Sequence, residues 1–556
     1  MKARIEGDSI LVEATGTQVL RIKANLSAVV GVSQVKIKQG VGIAFPLALL
    51  TSAHTILLSL ELTPDLADRV NAVSRHDAAR VEVNGLLANG FTGSLEGDWP
   101  KILDAHQVIA VAAMVVPGLA GLCLFDEQGS GKTVMAIAAF DVLKARAQVD
   151  RLIVLCPKTM IEEWRKDFTR FLGEKYKVVA LTDPLDPIYP PGFEDFDVYL
   201  TNYEGLGRVG DRLAATSSTA RTALAVDESF FLKNPDARRT DLAKKLRASC
   251  TVGFVLCGTP SPNSFVDVMS QFDLADCGYT FGSTRPHSLA EVQRRIDERG
   301  VMVRRLKREI MPELVDKTMI PIRIDLSERQ RGLYETAKNA LELRLRALDN
   351  QMVIRRTDSY FTERAALLMI CSTPSSVDPA CLEPPSKLLE LDRLLESLIE
   401  GQGKKVVLWS YYRDTNSLFM TRYAKYNPVT ITGSTPIEDR RSAVSAFQTN
   451  SAVMLFVGNA GAAGAGITLT AASDAVYYSL SSRAADFLQS LDRIHRRGQT
   501  APEVNVYVLL SANTIEEHEF HRLLQKEATQ HELLMDDMAP LSVADAIAEL
   551  GPLRGN

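Results

Sequence analysis

The chain carries no large excess of charge. Across 556 residues, 63 Lys and Arg stand against 68 Asp and Glu, a formal net charge of −5. That balance excludes a histone-like or tail-driven polycation, though a neutral chain can still carry a basic groove. Paired cysteines are missing too. The seven (Cys123, Cys156, Cys250, Cys257, Cys277, Cys371 and Cys381) are scattered and form no Cys-x-x-Cys pair. Neither a zinc site nor a disulfide framework is indicated, and the reading is of reduced, mostly buried thiols in a cytosolic protein. Met1-Lys2-Ala3-Arg4-Ile5-Glu6 has no apolar stretch resembling a signal peptide. One segment, Val108–Phe125, lacks charge and approaches the roughly 20 residues of a membrane helix. Pro117-Gly118 splits it and Asp126-Glu127 follow it, so it reads as a buried helix, a turn and a buried strand. What remains, 46% hydrophobic and 24% charged, is an ordinary globular composition. At roughly 100–200 residues per domain it suggests three or four domains.

Residues 1–95 read as a small N-terminal α+β domain. Gly7-Asp8-Ser9 marks a hairpin, Val35–Lys38 alternates like a strand, and a helix is expected from Pro64 to about Ala79. From about residue 96 the pattern becomes α/β. Gly121–Phe125, Leu152–Cys156, Val198–Thr201, Leu224–Val226 and Phe254–Cys257 are short apolar runs, each followed by a polar loop. That is the signature of a parallel sheet covered on both faces. A second series, Val406–Trp409, Val429–Thr432, Met454–Val457, Ala475–Tyr478 and Val504–Leu510, follows a helical stretch. The expected domains are therefore 1–95, a first lobe at 96–325, a helical linker at 326–384, a second lobe at 385–535, and a tail at 536–556.

Between a buried strand and a helix lies Asp126-Glu127-Gln128-Gly129-Ser130-Gly131-Lys132-Thr133. Glycines let backbone N–H groups approach phosphate oxygens, and the helix N-terminus adds positive potential. Lys132 is placed for the β/γ phosphates and Thr133 for Mg²⁺. About 95 residues on, a strand runs into Asp227-Glu228. Asp227 is placed to hold Mg²⁺ and Glu228 to polarise an attacking water. Gln107, ahead of the buried helix, could read an adenine edge through two hydrogen bonds. In the second lobe, Arg493, Arg496 and Arg497 crowd within one and a half helical turns, which asks for an anionic partner such as a phosphate or DNA.

With these residues assembled, the chain resembles a Swi/Snf-type superfamily-two helicase motor over about residues 100–530. Asp126–Thr133, Leu152–Pro157 with Trp164, Leu200–Glu204, Asp227-Glu228 with Lys233-Asn234, and Gly258-Thr259-Pro260 with Asn263 are similar to successive first-lobe motifs. Arg304-Arg305-x-Lys307, and Gln330 with Tyr334, resemble the link between lobes. Gly433-Ser434-Thr435 with Arg440, Gly464–Thr470 and Gln489–Gln499 are similar to second-lobe motifs. The resemblance implies two RecA-like lobes with ATP and Mg²⁺ between them, Gly129, Ser130, Gly131 and Gly466 on the nucleotide, and Arg493 and Arg496 as its arginine fingers. It also implies sequence-independent DNA binding by motif loops; Lys158 and Thr468 on such loops, with Arg304, Arg305 and Lys307 in the basic stretch Arg294–Arg308, are candidate contacts.

Ser229-Phe230 depart from the family, which usually has His or a similar residue two positions after the Glu. Ser481-Ser482-Arg483 replace its Trp-Asn-Pro. Val30-Gly31-Val32 followed by Ala44-Phe45-Pro46-Leu47 resembles the HARP-like domain of annealing-type members, which bind forked DNA; the alternative is a small stabilising domain. The expectation is a monomeric, cytoplasmic or nucleoid-associated DNA-dependent ATPase driving branch migration, annealing or remodelling. The alternatives are a remodeller of a DNA-bound protein docked through residues 1–95, and a non-hydrolysing clamp.

Overall fold

The computed structural model describes residues 1–38, 41–181, 192–258, 265–282, 286, 288–346, 357–463, 467–480, 484–528, 547 and 550. The chain divides into two compact units, Met1–Arg305 and Leu306–Asn556.

The first unit holds two sheets. In the N-terminal sheet, β1 (Lys2–Glu6) and β2 (Ser9–Glu13) form the expected hairpin, turning at Gly7-Asp8 with Gly7 at φ +59°. With β3 (Lys36–Lys38), β4 (Gly42–Pro46) and β5 (Glu61–Leu62), the order is β3-β4-β2-β1-β5. The helix Pro64–Asn89 runs ten residues past the expected end. Its first half buries Leu66 and Val70 in the N-terminal core, and its second half buries Ala79 and Val83 in the core of the next sheet. Polar Arg80 and Glu82 hide this second face from a simple periodicity count.

The second sheet comprises β6 (Gly121–Leu124), β7 (Arg151–Cys156), β8 (Val178–Ala180), β9 (Val198–Asn202), β10 (Thr222–Asp227), β11 (Val252–Leu256) and β12 (Met302–Val303). All its pairings are parallel, in the order β12-β6-β11-β10-β7-β9-β8. The charge-free segment is a buried helix, Ala105–Met114, then a turn, then β6. Among the described residues no helix is long and apolar enough to cross a membrane.

In the second unit β13 (Asp316–Ile324), β14 (Val406–Trp409), β15 (Val429–Ile431), β16 (Leu455–Gly458), β17 (Asp474–Tyr477) and β18 (Glu503–Ser511) form a parallel sheet, ordered β13-β18-β17-β14-β16-β15. This moves the expected lobe boundary at residue 325. β13 pairs with β18 over nine residues, so the sheet of the second unit already begins at Asp316. The linker region supplies the helices Glu328–Arg346 and Thr357–Ser372. Most of the expected tail, 536–556, lies outside the described residues, but Leu550 is buried beside Leu326, Tyr334 and Ile515.

Candidate nucleotide site

The C-terminal ends of β6 and β10 carry the two acidic and glycine-rich segments. After β6 the chain turns through Gly129 (φ +84°) and Gly131 (φ +86°), then enters the helix Lys132–Ala145. Left-handed backbone at both positions favours glycine. Gly131 is also sterically tight: a Cβ there would come within 2.2 Å of Gln107 Nε2. Lys132 Nζ donates to the carbonyls of Asp126 (2.7 Å) and Glu127 (3.0 Å), folding the loop around its ammonium. Ser130 is buried, and its hydroxyl has no hydrogen-bond partner among the described residues. Thr133 is the second residue of the helix.

Gln107 has two protein partners. Its Oε1 accepts the Asp104 N–H at 3.0 Å, completing a capping box, and its Nε2 donates to the Ser130 carbonyl at 2.9 Å. His106 Nε2 lies 3.2 Å from the same carbonyl. The helix Ala105–Met114 thus clamps the loop, and the Gln107 amide, expected to read an adenine, is spent on that clamp.

Asp227 ends β10. Its Oδ2 accepts from Trp164 Nε1 at 2.8 Å and its Oδ1 from the Glu228 N–H at 2.9 Å. Burial pushes the Asp227 carboxyl up to about 7, with repulsion from Glu228 adding to it, against the Trp164 hydrogen bond and the Lys132 charge. Glu228 occupies left-handed backbone (φ 51°, ψ 52°). The buried Tyr203 hydroxyl donates to the carbonyls of Asp227 and, at 3.4 Å, Glu228. Gln128 Nε2 donates to Glu228 Oε1 at 2.8 Å, joining the glycine-rich loop to the acidic strand end. Ser229, one of the two departures from the family pattern, is buried and donates to Gln271 Oε1 at 2.6 Å; Phe230 stacks on Phe231 at 4.3 Å. Trp164 and Tyr203 fell within expected motifs, but their bonds to this strand end are long-range and had no sequence signal beyond an aromatic residue at each place.

In the second unit, Arg493 and Arg496 converge on one loop. Arg493 donates to the carbonyls of Gln489 (2.9 Å) and Ile467 (3.4 Å); Arg496 donates to the Ile467 carbonyl (3.4 Å) and the Thr468 hydroxyl (3.0 Å). The helix ends at Leu491, so these arginines follow it in turns, where the sequence reading put them on helix. Ile494 is fully buried and anchors that turn. Gly466, Thr259-Pro260, Asn263 and Ser481–Arg483 lie outside the described residues.

Three of the DNA candidates have other employment. Arg305 forms a two-pronged ion pair with Asp126 and donates to the His106 carbonyl at 2.8 Å. Arg304 is largely buried and donates to the Phe125 carbonyl at 3.3 Å. Lys307 is buried and bonds Asp492 and the His495 carbonyl. The partners Asp126 and Asp492 lie 179 and 185 residues away in sequence, beyond the reach of a local charge count. Lys158, after β7, is exposed.

Whether the site suits Mg²⁺ and a nucleotide can be judged from its donors. It offers an unpartnered buried hydroxyl, a carboxyl whose ionisation burial opposes, and a Glu228 Oε2 with no partner among the described residues. No group of three or more His, Cys, Asp or Glu comes together among the described residues. Mg²⁺ is commonly held by one or two carboxylates with phosphates and water rather than by an all-protein cage, so these residues fit it.

A glycine loop at a helix N-terminus, facing an Asp-Glu strand end on a parallel sheet, defines the class of phosphate-loop nucleotide-binding proteins. The particular family follows from sequence. Residues 105–376 match the SNF2-related domain, and residues 386–498 match the helicase conserved C-terminal domain. The chain belongs to the SNF2-related, helicase-like superfamily-two ATPases. It is 28% identical over 446 residues to a chromodomain-helicase-DNA-binding protein 1-like of Danio rerio (73% of this chain, 41% of that protein). It is 26% identical over 430 residues to the human SWI/SNF-related matrix-associated actin-dependent regulator of chromatin subfamily A member 1 (71% and 40%). The chain thus spans about 40% of the length of these relatives. A Sulfolobus solfataricus SWI2/SNF2 ATPase core in complex with dsDNA aligns with a TM-score of 0.35 at 20% identity, covering 77% of this chain and 93% of that one.

Proposed function

We propose that the chain is a DNA-dependent ATPase that translocates on duplex or branched DNA. The observation that carries the reading is the 2.8 Å hydrogen bond from Gln128 to Glu228, which brings the glycine-rich loop and the acidic strand end into one site. Lys132 exchanges its loop carbonyls for β/γ phosphate oxygens, and the Gly129–Gly131 backbone cradles them. Thr133 and Asp227 hold Mg²⁺, which supplies neutralisation of phosphate charge when bound. Glu228 takes the proton of the attacking water. Arg493 and Arg496 stabilise charge on the transferred phosphoryl, a role worth about 10³–10⁵ in rate. Gln107 and His106 hold the loop. Lys158 and Thr468 are retained as DNA-backbone contacts, so binding weakens steeply with salt. The name of the Danio rerio relative supports DNA as the partner.

The alternative, remodelling of a DNA-bound protein, draws support from Leu20, Val29, Val32, Ile37 and Val41, large apolar side chains exposed on the N-terminal domain. ATPase rates without nucleic acid and with single strands, blunt duplex, forked DNA and RNA at matched low salt decide between the two. Stimulation by duplex supports translocation, and a preference for forks supports branch migration or annealing with residues 1–95 as fork reader. Basal hydrolysis that no nucleic acid stimulates favours the protein remodeller.

A further inference from the structure

Left-handed backbone at a non-glycine residue is strained and persists only where its surroundings hold it. At Glu228 the hydroxyl of Tyr203 secures the main chain, and Ser229 tethers the next residue to Gln271. These contacts fix where the Glu228 backbone lies, not where its carboxylate points. The carboxylate is held from Gln128, whose Nε2 donates to Oε1 at 2.8 Å. The other oxygen, Oε2, is buried with no hydrogen-bond partner among the described residues. A buried acceptor left unsatisfied is costly, so its retention beside the phosphate loop calls for an explanation. The Gln128 side chain is itself confined: a Cβ on Gly258 would come within 2.5 Å of its Cγ. This glycine, two residues past β11, therefore makes room for the rotamer.

Resting on the ATPase reading above, we infer that Gln128 is a positioning residue for Glu228. Its amide pins Oε1 and leaves Oε2 as the oxygen that accepts the proton of the attacking water. In that step the water oxygen bonds to the γ-phosphorus and its O–H bond breaks. The bond from the γ-phosphorus to the β,γ-bridging oxygen breaks with its electron pair passing to ADP, and the proton rests on Glu228. Gln128 also belongs to the loop that cradles phosphate, so the aim of the base and the seat of the nucleotide are set by one segment of chain.

The test is steady-state ATPase on the full chain with saturating DNA, comparing wild type, Gln128→Met, Glu228→Gln and the double variant. Binding of a fluorescent ADP and thermal melts run in parallel. Methionine keeps the length of glutamine and removes the donor. Losing a hydrogen bond to a charged group lowers kcat about tenfold to a hundredfold, with KM and ADP affinity held within about twofold. Because Gln128 acts through Glu228, Gln128→Met adds no further loss to the residual rate of Glu228→Gln. The inference is overturned if kcat of Gln128→Met matches wild type, if the loss falls on KM or ADP affinity, or if the same loss recurs in the Glu228→Gln background. Wild type that hydrolyses no ATP under any condition removes the ATPase reading and this inference with it. Wild type that turns over while Gln128→Met equals it removes this inference alone.

Discussion

Two sets of buried charges in this molecule have opposite characters. Beside the sheet of the second unit, Lys387 donates to Glu516 Oε1 at 2.6 Å and to the Tyr478 carbonyl at 2.8 Å, while Glu516 Oε2 accepts the Ser511 N–H at 2.8 Å. At the C-terminal end of β10, two adjacent carboxylates repel each other, the Asp227 carboxyl is pushed up to about 7, and Ser130 and Glu228 each keep a buried oxygen with no partner among the described residues. Both clusters bear the cost of desolvation, but only the first is compensated within the protein. The imbalance of the second is what a cation and a phosphate chain would correct. Completeness of partners, rather than burial, separates the structural cluster from the chemical one.

Glu228→Gln and Lys387→Met test that contrast most directly. Glu228→Gln removes a proton acceptor and a like charge beside Asp227. Turnover should fall about 10²–10⁴-fold while ATP still binds, and the melting temperature should hold or rise. A melting temperature that drops by several degrees would mean that the acidic pair is structural after all. Lys387→Met strands the Glu516 carboxylate in the core, and a urea titration should show a loss of about 3–5 kcal/mol. Lys387→Met combined with Glu516→Leu should recover part of it, since apolar replacement of a whole buried pair is often neutral but the Ser511 N–H and the Tyr478 carbonyl lose these partners. ATPase activity per folded molecule should not change in either.

A pH titration sharpens the comparison with a third kind of buried group, one kept neutral. His76, on the helix Pro64–Asn89, accepts the Ala120 N–H at Nδ1 (3.1 Å) and packs against Tyr279, with Asp77, Arg80 and Arg247 as the charges acting on it. Burial lowers its pKa to about 4. The folded state thus holds the proton less well than the unfolded chain, whose imidazole titrates near 6.5. His76 stabilises the fold in full above about pH 6.5, and that stability drains away as pH falls toward 4, by about 3 kcal/mol at the lower end. Unfolding free energies of wild type and His76→Gln, compared between pH 7 and 4.5, should converge as the pH drops. Parallel curves would place a solvated His76 in the protein.

How much of this was legible in sequence depended on whether the signal was local. The strands β6, β7, β9, β10, β11, β14, β16, β17 and β18 are runs buried along most of their length, and a run of apolar residues needs no partner to be seen. β13 was missed because Asp316-Lys317-Thr318-Met319-Ile320-Pro321-Ile322-Arg323-Ile324 alternates and contains a proline. Proline is tolerated there because β13 is an edge strand, with only β18 to bond. The glycine loop and the Asp-Glu pair were read from their own spacing. The pairings that turn them into a site were not: Gln128 meets Glu228 across 100 residues, Trp164 meets Asp227 across 63, and Arg305 meets Asp126 across 179. Arg305 shows the consequence, a residue assigned to DNA on its charge and found holding the start of the phosphate loop.

Gln107 gives the smallest and most discriminating experiment, because the sequence and the structure assign its amide different work. If it reads the adenine edge, Gln107→Ala should narrow the gap between kcat/KM for ATP and for GTP. If it is the clamp seen here, the variant loses a capping box and the bond to the Ser130 carbonyl, together about 1–2 kcal/mol of stability. It should then raise KM for both nucleotides by the same factor, since the loop that loosens cradles phosphate and is blind to the base. Gln107→Glu separates the two further. Glutamate keeps the acceptor for the Asp104 N–H, so the capping box survives, but it sets a carboxylate oxygen against the Ser130 carbonyl and opens the clamp from one side. Equal losses with ATP and GTP in both variants, larger in Gln107→Ala, would assign Gln107 to the loop; a loss confined to ATP would return it to the base.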